Sequence, residues 1–152
     1  MKIYLSCDAA AKALGAETVA EAIRAEAAKR GVDLTLTRVG SRGMVWLEPL
    51  VEVETPQGRV AIGPIKPADV AALFEDAPHP KSLGLTDELP WMKAQTRLTF
   101  ARCGVIDPLD PGDFEAHGGF AGLSRALRMT GAEIVAEVTE CGLRGRGGAG
   151  FP

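Results

Sequence analysis

A helical segment rich in Ala and Glu limits the possible folds of this chain more than any other feature. Residues 9–30 consist mainly of good helix formers. Apolar side chains recur there every four residues and form one stripe, at Val19, Ile23 and Ala27. Gly15 predicts a break or kink in the helix. Gly31, after Lys29 and Arg30, occupies the position of a carboxyl-terminal cap.

Short apolar segments on both sides of this helix predict a small sheet. Four segments have strand character: residues 2–6, 32–39, 50–54 and 59–62. The last two are joined by a turn at 55–58 that contains Pro and Gly. A short helix at 67–74, with Pro in its first turn, completes the unit. The pattern predicts an α/β (α+β) domain over residues 1–75, with Trp46 packed against the sheet.

The remainder of the chain divides into a linker and a mostly helical segment. Residues 76–88 are rich in Pro, Asp, His and Gly, which predicts a linker with an exposed His79. Residues 89–152 then form the second part. Two helices are expected within 113–129, separated at the pair Gly118-Gly119. A third helix follows Thr130 and Glu133, which have the spacing of a capping box.

Composition excludes several classes of function. The chain has 152 residues, 17 basic and 20 acidic, with a net charge of −3. A nucleic-acid partner is not expected, since the sequence has no basic cluster. Membrane insertion is not expected either, because no apolar run approaches the ~18 residues that a membrane-spanning helix needs. The three cysteines are too widely spaced for a disulfide framework, so we expect a cytoplasmic location.

The segment 142–152 has the composition of a nucleotide-binding loop. Five of its residues are Gly and two are Arg. Glycines allow close approach of a ligand, backbone N–H groups can bind an anion, and Arg can hold a phosphate. A flexible tail or a nucleic-acid segment has the same composition. The candidate cofactor-binding residues are Gly145, Arg146, Gly147, Gly148, Ala149, Gly150 and Phe151.

Residues 141–152, CGLRGRGGAGFP, resemble the signature of the flavoprotein subunit of respiratory complex I and its relatives. The upstream segments QTR at 95–97, CGVIDP at 103–108 and GGF at 118–120 match the same family in the same order. The resemblance implies the start of an FMN- and NAD(H)-binding domain over 89–152. In the family this domain continues further and is followed by the cysteines of a [4Fe-4S] cluster. We therefore expect a longer subunit.

Residues 1–75 resemble the thioredoxin-like [2Fe-2S] ferredoxin module in the order of their elements. The family's four cysteine positions correspond here to Cys7, Lys12, Ser41 and Val45. One thiolate cannot hold such a cluster, so we expect a degenerate module without metal that serves in docking. A thioredoxin-like redox enzyme is disfavoured, because the chain has no Cys-x-x-Cys pair.

The fusion of these two parts resembles the β subunit of a soluble NAD-dependent, molybdenum-containing formate dehydrogenase. This resemblance implies a diaphorase role with FMN and NAD as cofactors. It also implies two partners, a molybdenum-bearing catalytic subunit and a small [2Fe-2S] subunit. A diaphorase subunit of an NAD(P)-reducing hydrogenase or complex I-like enzyme, or a cofactor-free docking module, are the alternatives. No catalytic residue is expected, since hydride transfer needs no protein acid or base.

Overall fold

A computed structural model describes residues 1–151 and shows two compact units. The first unit is Met1–Asp113, and the second begins at Phe114. The strands are β1 (Lys2–Ser6), β2 (Thr35–Val39), β3 (Val51–Thr55), β4 (Gly58–Ile62) and β5 (Ser82–Leu85). The α-helices are α1 (Ala9–Ala13), α2 (Ala16–Arg30), α3 (Pro90–Lys93), α4 (Pro111–Ala116), α5 (Ala121–Ala126) and α6 (Gly131–Glu140). Short 3₁₀ helices lie at Val45–Leu47, Pro67–Phe74 and Thr86–Glu88.

The first unit is built on one mixed five-stranded sheet with the order β2-β1-β3-β4-β5. Strand β1 runs parallel to β2, and the other neighbouring strands are antiparallel. All four predicted strands are present. The strand predicted at 32–39 is shorter, because pairing with β1 begins only at Thr35. The α/β class is therefore confirmed.

Residues 76–88 differ from the expected linker, because they supply a fifth strand. Strand β5 pairs with β4 in the register Val60↔Leu85, although Gly84 lowers its strand propensity. His79 is buried, contrary to the exposed position predicted for it. Its ring nitrogens contact the Asp69 carbonyl at 3.2 Å and the Lys81 amide at 3.0 Å. Pairing of β5 with β4 therefore outweighs the preference of this Pro- and Gly-containing segment for turns.

One face of the sheet forms the apolar core with the helices. Its strands contribute Ile3, Leu5, Val51 and Ile62, and α2 contributes Val19, Ala20, Ile23 and Ala27. The predicted break is confirmed at Gly15, whose φ of 99° lies in the left-handed region that favours glycine. Gly31 caps α2 with a φ of 66°. The short helix predicted at 67–74 is present with the same bounds and is a 3₁₀ helix. Its side chains Val70 and Leu73 are buried in the same apolar core.

The opposite face carries a buried ion pair. The Arg42 guanidinium donates from Nε and Nη2 to the two carboxylate oxygens of Glu52, both at 2.8 Å. Burial opposes the charged form of Arg42, but Glu52 outweighs this and raises the pKa of the guanidinium. Arg59 lies 3.3 Å from the ring centroid of Tyr4 and donates to the carbonyls of Gly104 and Val105 at 2.9 and 2.8 Å. The sheet face thereby holds the segment around 104–105.

The second unit consists of short helices, and the residues that begin or end each helix lie close to it in the sequence. Gly118 and Gly119 separate α4 from α5, as predicted. A Cβ at Gly119 would overlap Phe114, whose ring packs edge-on against Phe120 at 4.9 Å. The capping box of α6 is confirmed, with the Thr130 amide donating to Glu133 at 2.7 Å. Within residues 1–151, no helix combines the length and apolarity needed to cross a membrane.

The stability of the first unit should depend strongly on the Arg42–Glu52 pair. Replacing Glu52 by Gln leaves the buried Arg42 cation with only the exposed carboxylate of Asp87 at 3.7 Å, and losing such a buried partner costs about 3–5 kcal/mol. We expect the urea midpoint of the chain to fall accordingly. The matched control is Glu88→Gln, which removes the exposed Lys93–Glu88 pair and should cost at most about 1 kcal/mol. An equal fall of the urea midpoint in the two variants would contradict the role of the buried pair.

Candidate functional site

The glycine-rich loop begins where α6 ends. The amide of Gly142 donates to the Thr139 carbonyl at 3.2 Å, and Gly142 has a φ of 65°. This left-handed turn stops the helix and directs the chain into the loop. The predicted stop at Gly142 is confirmed. The loop position thus follows from one glycine immediately beyond the last helical turn.

The loop closes on itself through one backbone hydrogen bond. The Gly145 amide donates to the Phe151 carbonyl at 2.7 Å, which joins the two ends of the predicted site. Gly148 and Gly150 between them have φ values of 93° and 59°. The structure therefore places all seven predicted residues, 145–151, in a single closed loop. The Gly145 amide is already satisfied in this loop, so it is not a spare donor for a ligand.

The surface of this loop is open and basic. A Cβ built on Gly147 or Gly148 meets no other atom within 4 Å. The segment 142–151 contains no acidic residue, and within residues 1–151 neither Arg144 nor Arg146 forms an ion pair. The Phe151 ring is 77% exposed. Unpaired guanidinium groups, open backbone and a flat ring are the features that a phosphate-bearing aromatic ligand requires.

The second unit also leaves apolar helix faces uncovered. Helices α5 and α6 are joined by the Arg125–Glu137 ion pair at 2.8 Å. Beside this pair lies a hollow of about 290 Å³ with Met129, Ile134 and Val138 in its lining. Leu123 on α5 and Leu127 immediately after it are exposed.

The positions that correspond to ferredoxin cysteines serve other purposes in the first unit. The Cys7 amide donates to the Val39 carbonyl at 2.8 Å and continues the pairing of β1 with β2. The Ser41 hydroxyl donates to Glu48 at 3.1 Å, and Val45 begins a 3₁₀ helix. No group of three or more His, Cys, Asp or Glu side chains in residues 1–151 has the arrangement of a metal site. The three cysteines are free.

Glu48 is a buried carboxyl that the sequence did not single out. Its Oε2 accepts from the Leu50 amide at 2.9 Å, and its other oxygen accepts from Ser41. Burial raises its pKa above the ordinary glutamate range, and these two hydrogen bonds only partly oppose the shift. Neighbouring Trp46 is 59% exposed, which corrects the expectation that it packs against the sheet. Its ring instead meets Trp91 edge-on at 5.0 Å.

Two comparisons connect the chain with known oxidoreductase subunits. It is 52% identical over 60 residues to the NADP-reducing hydrogenase subunit HndC of Solidesulfovibrio fructosivorans, which is 40% of this chain and 12% of that protein. It is 54% identical over 39 residues to an NADH-quinone oxidoreductase subunit of Streptomyces coelicolor, which is 26% of this chain and 9% of that protein. No protein-family model matches the chain.

These homologous segments support the resemblance to complex I-like flavoprotein subunits. The chain spans only about a tenth of the length of the curated relatives that it matches. Both relatives are named as subunits. Neither name refers to formate, so the formate dehydrogenase assignment stays a prediction.

The raised pKa of Glu48 predicts a specific dependence of stability on pH. The protonated carboxyl favours the folded state, so its contribution is complete below the unfolded-state pKa and is lost as pH rises through the folded-state pKa. Glu48→Gln should therefore stabilise the chain at neutral pH in urea unfolding, and the difference from wild type should shrink toward pH 4.

Glu54 provides a control of opposite sign. The Tyr4 hydroxyl and Lys2 lower the pKa of its carboxyl, so its contribution is present above the unfolded-state pKa and lost as pH falls through the folded-state pKa. Glu54→Gln should lower the free energy of unfolding at neutral pH, and its difference from wild type should disappear as the pH falls. If the stability difference between Glu48→Gln and wild type did not change with pH, the assignment of a raised Glu48 pKa would be wrong.

Proposed function

We propose that this chain is part of a diaphorase subunit that binds FMN and NAD(H) within a multi-subunit oxidoreductase. The observation that carries the proposal is the closed loop 145–151, which combines open glycine backbone with an unpaired Arg146. The identity shared with two NAD(P)-linked oxidoreductase subunits supports it.

The loop residues suit the phosphate-bearing end of a flavin or nicotinamide nucleotide. Gly147 and Gly148 would admit the ligand close to the backbone, since no other atom occupies the space a Cβ would take. Arg146 would offset the phosphate charge and Phe151 would contact the rings. Bound FMN would supply the chemistry that links two-electron hydride transfer to one-electron transfer. The role of the chain is to bind and orient these groups.

The finer proposal is a diaphorase subunit of an NAD-dependent formate dehydrogenase. Its support is the unit of strands and helices that precedes the loop and keeps only Cys7 of the ferredoxin cysteine positions. In this proposal a molybdenum-bearing subunit oxidises formate and a small [2Fe-2S] subunit carries electrons. The identity to a hydrogenase subunit favours a second candidate, an NAD(P)-reducing hydrogenase. Reduction of the flavin in the intact complex by formate, or by hydrogen gas, separates the two.

A docking module without cofactor is the alternative from another class. Residues 1–75 are its main support, because the cluster cysteines are missing there. Visible absorbance of the intact subunit distinguishes the alternatives: a flavoprotein has the yellow flavin spectrum and is bleached by NADH, whereas a docking module is colourless.

Gly147 gives the cleanest test of the loop. A Cβ there meets no other atom within 4 Å, so we expect Gly147→Val to leave the fold intact and obstruct the ligand. We expect at least a tenfold loss of FMN or NADH affinity in the intact subunit, by absorbance and NADH titration. Arg146→Gln should weaken binding by about 10–100-fold through loss of a charge-assisted hydrogen bond.

Gly122 supplies the matched control, since a Cβ at this glycine of α5 also meets open space. Gly122→Val should retain wild-type FMN content. Full FMN content and full NADH reduction in both Gly147→Val and Arg146→Gln would refute the assignment of the loop.

A further inference from the structure

A pocket in the first unit lies apart from the glycine-rich loop in the sequence and has no role in the proposed function. Its volume is about 470 Å³, within the range of ~300–1,000 Å³ that small-molecule sites occupy. One wall is the loop after β2, residues 40–43, and Asp8 lies beside it. The other wall comes from the segment around α3, with Trp91, Gln95, Arg97 and Phe100.

Arg97 is a cation without an anionic partner among residues 1–151. Its Nη2 donates to the Cys103 carbonyl at 3.2 Å, and its Nη1 contacts only the Met92 thioether sulfur at 3.6 Å. Its Nε is buried and has no hydrogen-bond partner. A guanidinium has five N–H donors, and a thioether is a weak acceptor. The charge of Arg97 and the second N–H on each of Nη1 and Nη2 are therefore available to a ligand.

The other charged groups of the pocket are already engaged. Arg42 is neutralised by Glu52 through two hydrogen bonds of 2.8 Å. Asp8 caps α1, where its Oδ1 accepts from the Ala11 amide at 2.8 Å. Within the described part of the chain, Arg97 is thus the only cation of the pocket lining that lacks a carboxylate partner, while Asp8 adds a negative charge. This balance favours a ligand with a single anionic group over a polyanion.

Two exposed aromatic rings complete the pocket. Phe100 is 65% exposed, and Trp91 is held by the edge-on contact with Trp46. Exposed rings at a concave site are typical of surfaces that contact a flat ligand. The Gln95 side chain donates its amide N–H to the Trp91 carbonyl at 2.8 Å. Its side-chain oxygen can still accept from a ribose hydroxyl or a base amine.

We propose that this pocket binds a nucleoside monophosphate. Arg97 holds the phosphate, and Trp91 and Phe100 contact the base. The volume is larger than a single-ring acid needs, and the charge balance disfavours a nucleoside triphosphate. This site shares no residue with the proposed FMN and NAD(H) loop, and neither assignment depends on the other.

Fluorescence of Trp91 provides a local readout. The chain contains two tryptophans, so Trp46→Phe leaves Trp91 as the single reporter. Titrating this variant with AMP should give saturable quenching. Adenosine, which lacks the anion, and ribose 5-phosphate, which lacks the base, should each bind at least tenfold more weakly. Equal affinity for AMP and adenosine, or no quenching at millimolar AMP, would overturn the proposal.

Substitutions then locate the site. Arg97→Gln should reduce AMP affinity at least tenfold and leave adenosine affinity unchanged, whereas Arg24→Gln on the exposed face of α2 should change neither. Phe100→Leu removes an exposed ring and should weaken AMP and adenosine alike, by about tenfold. Circular dichroism checks that each variant is folded.

The glycine-rich loop is the competing location for AMP. Gly147→Val and Arg146→Gln should leave the AMP titration of Trp91 unchanged if the pocket is the site. Loss of AMP binding in these two variants, with retention in Arg97→Gln, would place the nucleotide in the loop and refute the pocket. If the loop did not bind FMN, the proposal that the pocket binds AMP would be unaffected, because the two sites share no residue.

Discussion

The buried ion pair between Arg42 and Glu52 is the interaction on which the architecture of the first unit depends. Glu52 belongs to β3, and Arg42 belongs to the loop after β2. Removing both charges from water is costly, and close bidentate hydrogen bonds offset that cost. A Cβ at Gly104, whose φ is 78°, would overlap Arg42. The pair, together with Arg59, therefore determines how closely the segment around Gly104 can approach the sheet.

This arrangement explains why the first unit extends to Asp113. The sheet has an apolar face covered by α2 and a second face that carries charged and aromatic side chains. A chain segment that covers the second face must satisfy Arg59, and the carbonyls of Gly104 and Val105 do so. The CGVIDP motif, which resembles a flavoprotein segment, thus has a structural role within the sheet-based unit. Its Ile106 is buried there.

The two proposed ligand sites use different physical means. The loop 145–151 offers open backbone and exposed charge, and its shape comes from a single closing hydrogen bond. The pocket beside Arg97 is formed by tertiary packing. Its lining combines a guanidinium that has no carboxylate partner with aromatic rings on a concave surface. Short local sequence can encode the first kind of site. The second kind exists only after residues distant in the chain, such as Asp8 and Arg97, have been brought together.

The local elements of this protein follow from short stretches of its sequence. Strand alternation, the glycines that flank α2 and the capping box before α6 act over a few residues, so their outcomes could be predicted. The position of the candidate loop, immediately after a helix stop, could be predicted in the same way. The fifth strand, the burial of His79, the exposure of Trp46 and the end of the first unit at Asp113 arise only in the folded chain. These features depend on strand pairing and ion pairing between distant residues, whose energies outweigh local propensity and leave no periodic signal in the sequence.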